Sequence, residues 1–284
     1  MRIFAACITS LLSLFPLFAT AAPEQDTEIY SFGVAPQFDQ RKLYATWKPV
    51  LDVLEQSTGR KYRFASTSSV TEFEQAVAEG RFDFIYVNPF HLYKERTRQG
   101  YLPLVRDLAP LRGIVTVRGD SPIREIADLS GKSLAVPSPN AIGASMLIRA
   151  ELERVHGIRM TMINAKSHSS AYLYAINKLA DSAGGVEKTL TEQNPTIQNE
   201  LRVVYRTSDF PSHPIAAHPR IPVELREQVK KTFLGLSADK ANRRLLEDIP
   251  MTRAVAATFK DYEVFRPLNL EAYWSDPPVS GAKP

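Results

Sequence analysis

From Ile29 to about Leu246 the chain switches repeatedly between short apolar runs and stretches whose apolar residues recur at helical spacing. That alternation points to an α/β fold with mainly parallel sheets. Ile29–Val34 reads as a strand. Leu43, Trp47, Val50, Leu51 and Leu54 then mark one helical face that ends near Gly59, although Pro49 inside it implies a kink or a later start. Tyr62–Ala65 reads as the next strand. Thr71 and Glu74 have capping-box spacing before Phe73, Ala76 and Val77, and Gly80 closes that helix. Phe82–Val87 is nearly continuous apolar sequence, as in a central buried strand. Further strands are expected at Leu102–Val105, Ile114–Val117, Ser133–Val136, Met160–Ile163 and Arg202–Tyr205. Further helices are expected at Ala141–His156, Ala171–Ala180, Val223–Leu234 and Ala238–Leu246.

No stretch of linker composition divides the chain into independent domains. Two crossing regions, around Leu111–Val117 and Val203–Ser208, instead suggest two lobes. Lobe one is then built from 22–115 and 205–272, lobe two from 116–204, and 273–284 forms a flexible tail. Two short crossings make a hinge, and hinge closure around a ligand is an established device.

Ligands of open parallel sheets bind beyond the carboxyl ends of strands. Those positions here read Ser66-Thr67-Ser68-Ser69, Asn88-Pro89-Phe90-His91, Pro137-Ser138-Pro139-Asn140 and Asn164-Ala165-Lys166-Ser167-His168-Ser169-Ser170. They are rich in hydroxyls and amides and nearly free of carboxylates. Such residues cap helices and leave backbone N–H groups aimed into a cleft, where an anion is accepted well. Any one of them alone is more readily read as a helix cap; it is four such segments at corresponding strand ends that point to a cleft. The candidate contacts are Ser68, Ser69, Tyr86, Asn88, Asn140, His168 and Ser208, with Ser138 supporting a cap. Lobe one would donate through Ser69 and Asn88, and lobe two would clamp through the Asn140 turn and His168. Trp47 fits the buried helix face.

Residues 1–21 differ in kind. Arg2 precedes a short apolar run, and Ala19-Thr20-Ala21 offers the small residues of a cleavage site. The run is shorter than the ~20 residues a membrane span needs, so a cleaved export signal and a periplasmic protein are expected. The sole cysteine, Cys7, lies within that leader, so the mature chain has no thiol for a disulfide, a nucleophile or a metal. It also sits too early for a lipid-attachment site. The net charge of +4 is scattered, which excludes a nucleic-acid footprint and allows a weak general attraction for anions. His213 and His218 are separated by residues that include Pro214, and no metal site is expected. There is no Gly-x-Ser-x-Gly elbow, no His-Glu-x-x-His and no phosphate-cradling glycine loop. Asp83 and Asp181 stand without a visible partner. A binding protein without cofactor or catalysis is expected, acting as a monomer.

Phe32-Gly33-Val34-Ala35-Pro36, Trp47-Lys48-Pro49 and Thr58-Gly59 resemble the opening of phosphate/phosphite/phosphonate substrate-binding proteins of ABC importers. Gly80-Arg81-Phe82-Asp83 before a strand and Asn-Pro resembles their first-lobe sheet. Arg118-Gly119-Asp120-Ser121-Pro122-Ile123 and Asp128-Leu129-Ser130-Gly131-Lys132 are similar to the start of their second lobe, and Ser167-His168 with Asp181 fits as well. The resemblance spans about Ile29 to Leu236. It implies a type II periplasmic-binding fold, an oxyanion held by hydroxyls and helix N-termini, and a membrane permease as partner. Three departures stand out. Asn140-Ala141-Ile142-Gly143 occupies the place of the family's Ser-Thr-Ser-Gly, removing three hydroxyls while leaving the backbone donors. Ser169 stands where an acid often meets the amine of an aminophosphonate, so that ligand is disfavoured. Val87-Asn88-Pro89 looks more like relatives that feed sensor kinases, and a sensor partner with a non-phosphorus ligand is the alternative.

Overall fold

The computed structural model describes residues 28–249 and 251–275; the expected leader, 1–21, lies outside them. Along the first sheet run β1 (Ile29–Val34), α1 (Gln40–Thr58), β2 (Lys61–Ala65), α2 (Val70–Ala78), β3 (Phe84–Tyr86), α3 (Pro89–Lys94) and β4 (Leu102–Asp107). The second sheet is built from β5 (Gly113–Arg118), β6 (Ser133–Val136), α4 (Leu147–His156), β7 (Thr161–Asn164), α5 (His168–Ile176), β8 (Ser182–Val186), α6 (Glu187–Thr191), α7 (Pro195–Glu200) and β9 (Leu201–Arg206). The chain then returns through β10 (Pro214–Ala217), α8 (Val223–Ala238), α9 (Arg243–Asp248), β11 (Ala254–Ala256) and α10 (Phe259–Tyr262).

The sheets have orders β11-β4-β10-β3-β1-β2 and β7-β6-β8-β5-β9. The β2-β1-β3 and β7-β6-β8 sets are parallel, and the strands next to the crossings are antiparallel. The two-lobed α/β architecture expected above is therefore present. Crossings lie between β4 and β5 and between β9 and β10, and Leu111 and Phe210 pair there in an isolated antiparallel bridge. The sheet of lobe two thus begins at Gly113 and ends at Arg206, a few residues outside the expected borders.

Helix α1 begins at Asp39, whose carboxylate accepts from the Lys42 N–H at 3.0 Å, and passes through Pro49 to a left-handed cap at Gly59. Its face of Leu43, Trp47, Val50, Leu51 and Leu54 is buried against β1 and β3, and that burial outweighs the one helical bond that proline removes. The cap of α2 is Ser69, accepting from Glu72 N–H at 3.2 Å. It lies two residues before the Thr71–Glu74 box read from the sequence, because Ser68 also donates to the Glu72 carboxylate. Strand β3 is shorter than the apolar run that marks it, and α8 extends to Ala238, which shortens the helix after it.

Asp83 and Asp181 are matching clasps. Each precedes the central strand of its lobe, and one carboxylate oxygen accepts from the N–H and the hydroxyl of a serine on the neighbouring strand. The distances are 2.8 and 2.7 Å from Ser31 and again 2.8 and 2.7 Å from Ser133. Arg220 pairs with Asp83 in addition. The partners that these acids lacked in the sequence are supplied by sheet pairing.

After α10 the chain continues in 3₁₀ turns, Glu263–Leu268 and Leu270–Tyr273, that touch both lobes. Phe265 packs on Phe90 of lobe one, while Tyr273 donates to Glu153 on α4 of lobe two at 2.6 Å. The expected flexible tail starts at 273, yet Tyr273 to Ser275 are hydrogen-bonded in place; 276–284 lie outside the described residues.

Candidate ligand cleft between the lobes

The carboxyl ends of β1 and β3 in lobe one face those of β6 and β7 in lobe two across a cleft. Its centre is lined by Pro36, Gln37, Val70 and Asn88 from lobe one, and by Asn140 to Ala144 and Lys166 to His168 from lobe two, with His213 on the return crossing. One adjoining hollow runs past Tyr86, and another past Ser68 and Ser69.

The floor of lobe two is a single π-helical turn, Ile142–Met146, that leads directly into α4. Met146 N–H reaches back to Ala141 C=O at 3.1 Å, giving the wide turn. The first-turn N–H groups of Ile142, Gly143 and Ala144 have no acceptor within the helix, and these residues line the cleft. The turn packs directly onto its sheet where β5 and β8 carry glycine beneath it. A Cβ at Gly113 would overlap the Gly143 carbonyl oxygen, and one at Gly184 would overlap that of Ala144.

Asn140 joins the lobes. Its Nδ2 donates to Glu74 Oε2 at 2.8 Å and to Ser275 O at 2.8 Å, its Oδ1 accepts from Ser275 N–H at 2.8 Å, and its carbonyl accepts from Asn88 Nδ2 at 2.8 Å. The side chain of this candidate contact is thus engaged in holding the turn through which lobe two is expected to clamp. Asn88 is similarly committed, since its Oδ1 caps α3 through the N–H groups of Phe90 and His91. Ser138 is buried and accepts from the Asn140 N–H at 3.2 Å.

His168 opens α5 behind its cap Ser167 and lines the cleft. Burial pushes its imidazole down to about 4. Tyr86 is buried, with its phenol raised by burial, and stacks on His213 at 5.5 Å. Ser68 and Ser69 sit on the rim, engaged with Glu72. Ser208 is not brought to the cleft. Its N–H donates to Glu151 at 3.1 Å within the crossing, just beyond β9, which ends at Arg206.

Gln37, Lys166 and His213 line the cleft without having been singled out as contacts. Lys166 has φ 72°, in the left-handed region, beside an N–H bond to Asn164 Oδ1 at 3.1 Å; the Asn-x-Lys spacing is its only sequence signal. His213 reaches the cleft through the return crossing, for which local sequence holds no signal. Among the described residues no group of acids and histidines is arranged to hold a metal.

The carboxylates at the cleft margins are all engaged. Asp107 accepts from Thr252, Arg253 and Ala109; Glu187 pairs with Arg206; Glu192 pairs with Lys42; Asp39 caps α1. What faces the void is an array of N–H donors, imidazoles and one ammonium group, on a partly apolar wall of Val70, Ile142 and Val186.

Two lobes, two crossings and a cleft at the strand ends define a type II periplasmic-binding protein. Residues 32–262 match the family described as "ABC transporter, phosphonate, periplasmic substrate-binding protein", and the chain belongs to that family. It is 21% identical to the phosphate-import protein PhnD of Mycolicibacterium smegmatis, over 98% of this chain and 90% of the relative. Among solved structures it is similar to a binding-protein component of an ABC phosphonate transporter from Pseudomonas aeruginosa, with TM-score 0.78, 15% identity, and 87% and 88% of the two chains covered. It is also similar to PhnD1 of Prochlorococcus marinus in complex with methylphosphonate, with TM-score 0.75, 12% identity, and 87% and 99% covered. The family is one of transporter components rather than of enzymes. Among the described residues no helix is long and apolar enough to cross a membrane.

Proposed function

We propose that this chain captures a small oxyanion of the phosphate, phosphite or phosphonate type in the periplasm and delivers it to the permease of an ABC importer. The observation that carries this reading is the convergence of first-turn N–H groups at Ile142, Gly143 and Ala144 with His168 on a cleft whose carboxylates are already engaged. Such donors favour an anion and repel nothing that carries negative charge. The three hydroxyls missing from the turn are compensated by its backbone, held in place by Asn140 rather than contacted through it. Ser69 and Asn88 contribute from lobe one, Asn88 by fixing the turn through its carbonyl bond. The lobes close about the two crossings, and the protein retains its ligand without turning it over.

The absence of a free acid near His168 disfavours ligands with an amino group, and the apolar wall suits a compact or methyl-bearing oxyanion. The match to a transporter component does not favour a sensor-kinase partner. Thermal unfolding against phosphate, phosphite, methylphosphonate, 2-aminoethylphosphonate and sulfate tests the reading. Ligand at 100 times Kd adds ~2.7 kcal/mol, which moves the midpoint by roughly 5–10 °C for a chain of this size. A selective rise of that order is expected with one of the first three. No rise with any of them would overturn the proposal.

A further inference from the structure

Two imidazoles face the same void from opposite lobes. His168 comes from the first turn of α5, and His213 from the crossing that leads into β10. His213 is positioned by lobe-one neighbours: its ring stacks on Tyr86 at 25°, and its Nε2 lies 3.3 Å from the Gln37 carboxamide. Nδ1 of His168 is buried without a hydrogen-bond partner among the described residues. Neither ring is bonded to a carboxylate.

The charged groups around the pair are Lys166 beside His168, then Asp39, Lys42 and Glu192 on the rim, and Asp107, Arg112, Glu187 and Lys188 on the side of His213. The four acids are occupied as described above, and Lys188 donates to the carbonyls of Glu247 and Ile249 at 3.1 and 2.9 Å. Burial therefore acts on both rings without a counter-charge and holds His213, like His168, down at about 4, with His168 itself adding to the effect.

A neutral imidazole pair in such a place becomes charged when an anion enters between its members. An opposite charge within ~4–6 Å raises an imidazole by roughly 1–3 units. We infer that His213 is a further lobe-one contact for the oxyanion, and that the ligand draws protons onto the His168–His213 pair as it binds. This rests on the oxyanion reading above. Affinity then rises as pH falls from neutral towards about 6 and is lost as pH rises through the liganded-state value. The pair would also compensate charge that the altered turn, stripped of its hydroxyls, leaves to the lobe-two backbone.

The test is calorimetric titration of methylphosphonate, and of inorganic phosphate, at about pH 6 in buffers of different ionisation enthalpy. The wild type should show a buffer-dependent heat from proton uptake. His213→Gln should lose a substantial part of that uptake and bind at least about tenfold more weakly. Comparing the two proteins with one ligand cancels the ligand's own titration. In parallel, the His213 ring signal of the wild type, followed by NMR, should titrate at higher pH once methylphosphonate is present, a readout that does not depend on any variant folding. If an oxyanion binds with buffer-independent heat and the His213 titration stays put, this inference fails while the oxyanion reading stands. If neither oxyanion binds, that reading falls and the inference falls with it.

Discussion

Asn140 concentrates on one buried residue polar contacts to three distant partners: Glu74 on α2, Asn88 at the start of α3, and both backbone groups of Ser275. A buried hydrogen-bonding group deprived of its partner costs about 1–3 kcal/mol, so truncation here is felt by the turn that follows. Asn140→Ala should weaken oxyanion binding by about tenfold and lower the unfolding midpoint, as read by titration and thermal unfolding together. Ser208→Ala, at a residue held in the crossing by its backbone, the N–H donating to Glu151 and the carbonyl accepting from the Thr207 hydroxyl, should leave affinity unchanged. The contrast separates two residues that sequence reasoning had put on the same footing. Hydroxyls and amides after strands were legible as a class, but not which of them would turn into the void. That choice depends on partners such as Glu74 and Ser275, more than sixty positions away in the chain.

The elements divide in the same way. Strands with β-branched or aromatic runs were readable, and β6 keeps the bounds Ser133–Val136 that its composition suggests. Strands β8, β10 and β11 were not, because Ser-Ala-Gly-Gly-Val, Pro-Ile-Ala-Ala and Ala-Val-Ala carry little of that signature. Long-range needs explain their small residues: Gly184 admits the Ala144 carbonyl beneath the π-helical turn. Gly184→Ala should lift that turn and weaken binding, with unfolding and affinity measured side by side to separate the two effects. The serine–aspartate clasps yield a second expectation. Burial works to raise Asp83, but the bonds from Ser31 and Arg220 outweigh it and hold the carboxyl below its ordinary value. A depressed carboxyl stabilises the fold above its unfolded value of about 3.9 and loses that contribution as pH falls through the folded value. Asp83→Asn should therefore cost about 1.5–3 kcal/mol at neutral pH and flatten the loss of stability below about pH 4, as followed by circular dichroism.

For the whole molecule, the question is what holds the two lobes together around the cleft. The rim pair Lys42–Glu192 spans them at 3.0 Å, but its side chains are 44% and 25% exposed, and such pairs contribute under about 1 kcal/mol. The buried Asn140 cluster and the shared apolar core of Phe73, Phe90, Ile142, Met146 and Phe265 outweigh it. Lys42→Ala should accordingly change affinity by less than about fivefold. Whether an oxyanion sits on the first-turn N–H groups of lobe two is read by amide NMR of the labelled protein during titration with phosphate, phosphite and methylphosphonate. At least one of these ligands should displace the amide signals of Ile142, Gly143, Ala144 and His168 the most. A ligand that binds while leaving those four signals unmoved would contradict that placement.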